Sequence, residues 1–569
     1  MKALWLVALG LVAAVAADAH PYWVFFRDRG PGAVNDSTLA AAARALTPRA
    51  LARRAKAARE RGVEAAFEPW GEASPTNSGR AALALVDARD LEPAGEYVAA
   101  IQRAGATVRT SSRWLNAVSV EGPASALAAI RALPFVLEVR PVAAAARDGE
   151  GAEGATPAVT ASAAGQFSYG PGAHQLEMIG VPEAHAMGYH GEGVLVCILD
   201  SGFELEHEAF GQLEVRATRD FLFNDENVAF DPDQDVPGQS NHGTTVLSAL
   251  AGYAPGHLVG PAYRADYILG KTESNRWERQ VEEDTWCAGI EWAEAMGADM
   301  ATTSLSYTSW YGPESLDGRT AVVSRTANLA FDRGLFLVNS IGNQGPREGT
   351  LGAPSDAPGV IAVGSVDWNG QISRFSSRGP TWDRRVKPDL VAMGSGVSMV
   401  TARSRDRYGR GSGTSYAAPL VAGCAALVLS AHPDWGPEAV RDALVMSGDR
   451  AAMPDSRYGW GVPNARDAIL YPLIEGRVTD ALTREPIALA RVSWEPAGPV
   501  DSTRAAPGDS PPRGVARADS TGAYVVPNLP PGVYRLRVNA EGYFEGVTEA
   551  LDVPPNLGDV NVALRYRGE

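Results

Sequence analysis

Apolar residues fall into several distinct textures along the chain. Tyr22-Trp23-Val24-Phe25-Phe26 is a short apolar run of strand length, followed by a loop. Residues 46–63 then mix alanine with Arg49, Arg53, Arg54, Lys56, Arg59 and Arg61. That pattern predicts a basic helix, its charged face solvated or, more sharply, set against an acidic neighbour within the protein. Residues 65–80 show no period. From about Arg80 the pattern predicts a small α+β unit: a strand over 81–86, a helix over 97–104, a strand pair within 108–120, a helix over 124–133 and a strand over 136–142. Residues 143–166 are rich in Ala, Gly, Thr and Glu without periodicity, which predicts a linker open to proteolysis.

From Tyr169 to about Leu470, continuous apolar runs alternate with helical stretches. Residues 194–199, 335–338 and 360–363 read as strands covered on both faces. Helices are expected over 244–251, 287–296, 326–332 and 437–446. Alternation of this kind predicts an α/β domain built on a parallel sheet. After Tyr471 the period drops to two: Ala490, Val492 and Trp494, then Tyr534, Leu536 and Val538, then Val560, Val562 and Leu564. Turn sequences such as Asp519-Ser520-Thr521-Gly522 separate these runs, and a Pro- and Ser-rich loop occupies 497–515. A small antiparallel β-sandwich is expected there. The resulting division is 1–19, 20–79 as a basic arm, 80–146, 147–168 as linker, 169–470 and 471–569.

Composition changes this picture little. At 569 residues the chain exceeds one hydrophobic core. Its net charge, 51 − 67 = −16, disfavours a phosphate-backbone partner, so no nucleic acid is expected. Cys197, Cys287 and Cys424 are odd in number and lack metal-ligand spacing. Cys197 and Cys424 sit in apolar runs and read as small buried hydrophobes rather than a disulfide framework. At the start, Lys2, the apolar stretch 3–15 and Ala17-Asp18-Ala19 read as a signal peptide cut before His20. A soluble exported protein, extracellular or periplasmic and without a membrane anchor, is expected.

Four short stretches carry candidate chemistry. Gly413-Thr414-Ser415 precedes the small-residue apolar run 420–429, which places Ser415 at a helix N-terminus, with Pro419 expected in the first turn. Such an end offers free N–H groups to a developing oxyanion, although Gly-Thr-Ser is also common capping sequence. The strand run 194–199 ends in Asp200-Ser201-Gly202, either a strand-end turn or a carboxylate delivered to the functional end of a parallel sheet. Asn241-His242-Gly243-Thr244 opens a helix, and Gly342-Asn343 follows the run 335–338. Together they supply a nucleophile, a base, an orienting acid and an amide donor.

In that order, Asp200, His242, Asn343 and Ser415 resemble the subtilisin-like serine peptidases. Ile179-Gly180-Val181-Pro182, Ser304-Leu305-Ser306, Phe375-Ser376-Ser377-Arg378-Gly379-Pro380 and Lys387-Pro388-Asp389 match further landmarks of that family, over roughly 166–470. The resemblance implies Ser415 as nucleophile, His242 as base then acid, Asp200 as orienter and Asn343 as oxyanion donor. It also implies Ser304, Leu305 and Ser306 as the substrate-binding strand. Ser306-Tyr307 stands where the family has Gly-Gly, and Ile341 where it has Ala, so a reshaped substrate pocket is expected. The stretch 80–146 resembles the family's inhibitory propeptides through Asn116-Ala117-Val118-Ser119-Val120 and Pro134-Phe135-Val136, and 473–569 resembles carboxypeptidase-regulatory-like domains. These resemblances imply a secreted endopeptidase made as a zymogen, acting as a monomer on proteins or peptides and inhibited by its own propeptide. No cofactor is expected for catalysis; structural calcium is an open expectation, with Asp231, Asp233 and Asp235 offering clustered oxygens. The competing reading is an exported binding protein that keeps a degenerate peptidase domain as scaffold.

Overall fold

The computed structural model describes residues 21–62, 83–142, 144–145, 168–274, 281–307, 311–500, 514–530, 532–553 and 558–568. The leader, nearly all of the expected linker and most of the 497–515 loop lie outside these residues.

The N-terminal region builds a four-stranded sheet. Its strands are β1 (Tyr22–Phe26), β2 (Thr107–Ser112), β3 (Ala117–Glu121) and β4 (Val136–Pro141), in the order β2-β3-β1-β4. Helices Gly95–Arg103 and Ala124–Arg131 cover one face, where Val24, Phe26, Ile101 and Ile130 are buried together. This corrects two expectations. Residues 83–85 form a helical turn rather than a strand, and Asp87 then caps the short 3₁₀ helix Ala88–Asp90. The interior strand comes instead from β1, so the arm boundary at residue 79 does not divide structural units. The physical reason is that β1 is apolar on both faces. Trp23 and Phe25 point opposite to Val24 and Phe26 and enter a second core.

After β1 come helices α1 (Asp36–Ala45) and α2 (Pro48–Glu60). Thr47 caps α2 and Pro48 sits in its first turn, where no N–H is missed. Of the two expectations for the basic face, the sharper one holds: Arg53 and Arg54 are buried against carboxylates.

Seven parallel strands form the central sheet. In chain order they are β5 (Leu195–Asp200), β6 (Glu214–Asp220), β7 (Asp266–Lys271), β8 (Met300–Thr303), β9 (Phe336–Ser340), β10 (Val360–Val366) and β11 (Leu390–Met393). Their spatial order is β11-β10-β9-β8-β5-β7-β6. Every residue of β5 is buried, as a strand covered on both faces requires. On one face lie the helices Asn241–Ala251 and Thr414–Ala431; on the other, Glu283–Met296 and Val322–Asp332. Among the described residues Thr414–Ala431 alone is long and apolar enough to cross a membrane, and it is buried in the core.

The second of these faces is shared with the N-terminal sheet. Trp23, Phe25 and Trp114 pack in one cluster with Trp286, Ile290 and Val323. Burying each such side chain contributes about 1.5–3 kcal/mol. The C-terminal domain has its own core, with Ile474, Val492, Tyr524 and Leu536 buried together. Its strands pair antiparallel as expected, except that Ile474–Asp480 and Val562–Leu564 run parallel. All three cysteines are buried and free.

Candidate active site

Adjacent strands deliver the site residues to one end of the sheet. Asp200 ends β5, Ser304-Leu305-Ser306 follow β8, and Asn343 lies just beyond β9. Carboxyl ends of neighbouring parallel strands are where open α/β sheets gather their chemistry. His242 enters on the first turn of the helix Asn241–Ala251. Its Nδ1 is 2.7 Å from Asp200 Oδ1. That bond makes Nδ1 the protonated nitrogen and leaves Nε2 as the basic one. The same carboxylate oxygen accepts from the Ser201 N–H at 2.7 Å and from Ser201 Oγ at 3.1 Å. Gly243 makes this approach possible: a Cβ there would run into the Gly202 carbonyl and Asp200. The glycine therefore gives room to the acid's strand rather than to an incoming substrate.

Ser415 is the second residue of the helix Thr414–Ala431 and is buried. Thr414 donates to Asn343 Oδ1 from its N–H at 2.9 Å and from Oγ1 at 3.0 Å. These bonds tie Asn343 to the residue just before Ser415. The Tyr416 ring centroid is 6.1 Å from that of His242, so the helix that carries Ser415 comes close to His242.

Pro419 is the sixth residue of this helix rather than part of its first turn. It lacks the N–H that would bond to the Ser415 carbonyl. Ser304 Oγ donates to that carbonyl instead, at 3.2 Å. Ser304 thus supports the Ser415 turn, while Leu305 is buried and gives its carbonyl to Asn339 Nδ2 at 2.9 Å. Ser306 Oγ stands 3.4 Å from where a Cβ on Gly342 would sit, so it faces the Asn343 loop. Tyr307 is fully buried in the shared second core, and Ile341 in a small cluster with Leu351 and Ala362. Ser201, Thr414 and the Ser304–Ser415 bond were not singled out from sequence. The first two are flagged only by adjacency to Asp200 and Ser415.

In the acidic loop named as a calcium candidate, two of the carboxylates have partners within the chain. Lys271 Nζ lies 2.7 Å from Asp235 and 2.9 Å from Asp220, and Asp231 Oδ1 accepts from the Asp233 N–H at 2.9 Å. One ammonium is thus shared between Asp235 and Asp220. Among the described residues no group of three or more His, Cys, Asp or Glu side chains is disposed to hold a metal.

Residues 191–461 match the model of the Subtilase family. Over 280 residues the chain is 33% identical to subtilisin of Bacillus pumilus, spanning 47% of this chain and 88% of that one. The chain belongs to the subtilase family. It carries a subtilisin-like serine peptidase domain. It is also 32% identical over 280 residues to subtilisin E of Bacillus subtilis strain 168, of which it spans 64%, just under two thirds. Fervidolysin from Fervidobacterium pennivorans, a keratinolytic enzyme related to subtilisin, shares the fold at a TM-score of 0.53 and 19% identity, over 84% of this chain and 77% of that one. Residues 73–153 match the Peptidase S8 propeptide domain of Bacteroidota, and 473–565 match the carboxypeptidase regulatory-like domain. Strand β1 and helices α1 and α2 lie outside the propeptide match.

The propeptide-like region reaches the active-site end of the peptidase domain. Ala144–Ala145 pairs antiparallel with Val281–Glu282, in the segment that follows β7 beyond its carboxyl end. An extended segment added to a strand edge is how peptides are commonly bound. Four carboxylates of the helix Glu283–Met296 meet the N-terminal region as a whole, β1 and α2 included. Trp23 Nε1 donates to Glu283 at 3.1 Å, and Ser119 Oγ to Asp284 at 2.6 Å. Glu291 accepts from Ser112 Oγ and from the N–H groups of Arg113 and Trp114. Glu294 pairs with Arg53 and Arg54. Burial pushes the Glu291 carboxyl up to about 7, offset only in part by Arg113. Burial acts the same way on Glu294, but Arg53 and Arg54 outweigh it and hold that carboxyl below its ordinary value.

Proposed function

We propose that this chain is an exported serine endopeptidase, made as a zymogen, that cuts peptide bonds of proteins through an acyl-enzyme on Ser415. Ser415 Oγ attacks the scissile carbonyl carbon while His242 Nε2 takes its proton. Asp200 holds the Nδ1 proton and stabilises the imidazolium. The carbonyl oxygen, now an oxyanion, is met by Asn343 Nδ2 and the N–H groups at the start of the serine helix. His242 returns the proton to the departing amine. Water then repeats the sequence on the ester, releasing the acid and restoring Ser415. These steps draw only on side chains and water, so catalysis proceeds without a cofactor. The observation that carries the reading is the 2.7 Å bond from His242 Nδ1 to Asp200 Oδ1.

The Ala144–Ala145 pairing supports the zymogen reading, because it adds the tail as an extended strand at the active-site end of the sheet. Cutting within 147–168 frees that tail. The leader sequence supports export, and the monomeric state and the absence of a membrane anchor belong to the same proposal. A fluorophosphonate probe tests the core of it. The purified chain should label at Ser415, process itself within 147–168 and degrade casein; Ser415→Ala should do none of these. A chain that neither labels nor processes itself, or that matches Ser415→Ala, refutes the proposal and favours a scaffold role.

A further inference from the structure

The N-terminal region holds the peptidase domain at two places, and only one of them is near the active site. The sheet lies over the helices Glu283–Met296 and Val322–Asp332, and its tail reaches the active-site end. Helix α2 extends the contact from Glu294, which it shares with Arg113, to residues that lead into β5, β8 and β9, the end of the sheet opposite Asp200. There Arg54 bonds Glu294 at 2.8 and 2.9 Å and Asp90 at 2.8 and 3.0 Å. Arg53 bonds Glu294 at 2.5 Å and the carbonyls of Ala298 and Arg333. Both arginines are almost wholly buried.

The far end of α2 makes a different contact. Glu60 accepts from the N–H groups of Gly436, Glu438 and Ala439 at 2.9–3.2 Å, and so caps the helix Pro437–Met446 of the peptidase domain. Gly436 has ordinary backbone angles, yet a Cβ there would collide with the Glu60 carboxylate. The peptidase domain thus leaves room for this side chain and completes a helix terminus with it.

We propose that α2 is a second docking element, independent of the cleft, which keeps the N-terminal region bound to the peptidase domain after the linker is cut. Strand β1 precedes α2 and the rest of the sheet follows it, so arm and sheet are one connected piece. Two linked contacts hold far longer than either alone, by about 10²–10⁴-fold. The consequence rests on the zymogen reading: α2 adds its own hold to that of the tail, so release of the cut N-terminal region depends on a contact away from the cleft.

The test avoids catalysis altogether. A recognition sequence for a sequence-specific protease is inserted within 147–167 of the full chain carrying Ser415→Ala. After cutting, the peptidase portion is immobilised and loss of the N-terminal fragment is timed. The fragment should stay bound, leaving about 100-fold faster or more with Arg53→Met and Arg54→Met combined. Gly436→Ala should speed its loss about tenfold. Should the arginine variant fail to fold, Gly436→Ala decides alone, since its backbone angles suit alanine. Loss at the same rate in variants and parent, or immediate separation of the parent on cutting, overturns the proposal. Because Ser415 is absent throughout, neither result bears on the peptidase activity itself.

Discussion

Pro419 matters more than its place in a long apolar helix suggests. It removes the N–H that would close the first turn around Ser415, and a hydroxyl 111 residues away in sequence takes over the carbonyl. A buried carbonyl left without a partner costs about 1–3 kcal/mol. Ser304→Ala should therefore lower kcat about tenfold with little change in KM, and Ser304→Thr, which keeps the hydroxyl, should recover most of it. Steady-state kinetics on a peptide substrate separates the two. Asn343→Ala should cost about 10²–10³-fold in kcat at nearly constant KM, the magnitude known for the corresponding donor in a subtilisin. Asp200, His242, Asn343 and Ser415 stood out as candidates in the sequence through their places at strand ends and helix starts and, above all, through the resemblance of their order to one family's. The bonds that orient them did not. Thr414 reaches Asn343 across 71 residues, and no local pattern encodes such a distance.

Helix Glu283–Met296 shows how an element can be read correctly and its role missed. Its existence is plain from its apolar positions. Its four buried carboxylates look like a solvated face until the N-terminal sheet and α2 are placed on them. Glu291 makes this contact pH-dependent. Its carboxyl is raised to about 7 in the docked state, so docking favours the protonated form. The stabilising contribution is complete below the ordinary value of 4.5 and is lost as pH rises through about 7. In the cut, Ser415→Ala protein, the affinity of the N-terminal fragment should fall between about pH 5 and 7, by at most tenfold per unit for one proton. Glu291→Gln should flatten the profile; an unchanged slope in that variant would assign the effect to other groups. Strand β1 teaches the converse. Residues 81–86 and 22–26 are both short apolar runs, but only 22–26 can bury both faces, with Val24 and Phe26 in one core and Trp23 and Phe25 in the other.

At the scale of the molecule, three units differ in how they are joined. The N-terminal sheet shares its core with the peptidase domain, whereas the C-terminal domain keeps its own. The latter is tied on by the Asn528 N–H to the Leu470 carbonyl and by an Arg466–Glu475 pair. Calorimetry of the Ser415→Ala chain should show the C-terminal domain melting separately, while the N-terminal sheet and peptidase domain unfold as one transition. Truncation after Leu470 should move that main transition by only a few degrees. A single transition for the full chain would show that the last domain is coupled to the rest. The sequence by itself determined the parallel α/β architecture, because periodicity is a local property, and it nominated the four candidate residues through their resemblance to a family. Only the tertiary structure decided which apolar run enters the N-terminal sheet, where the basic helix docks and which hydroxyl completes the nucleophile's turn. Those choices depend on which buried charge or carbonyl finds its partner from a distant part of the chain, and burial makes that pairing obligatory.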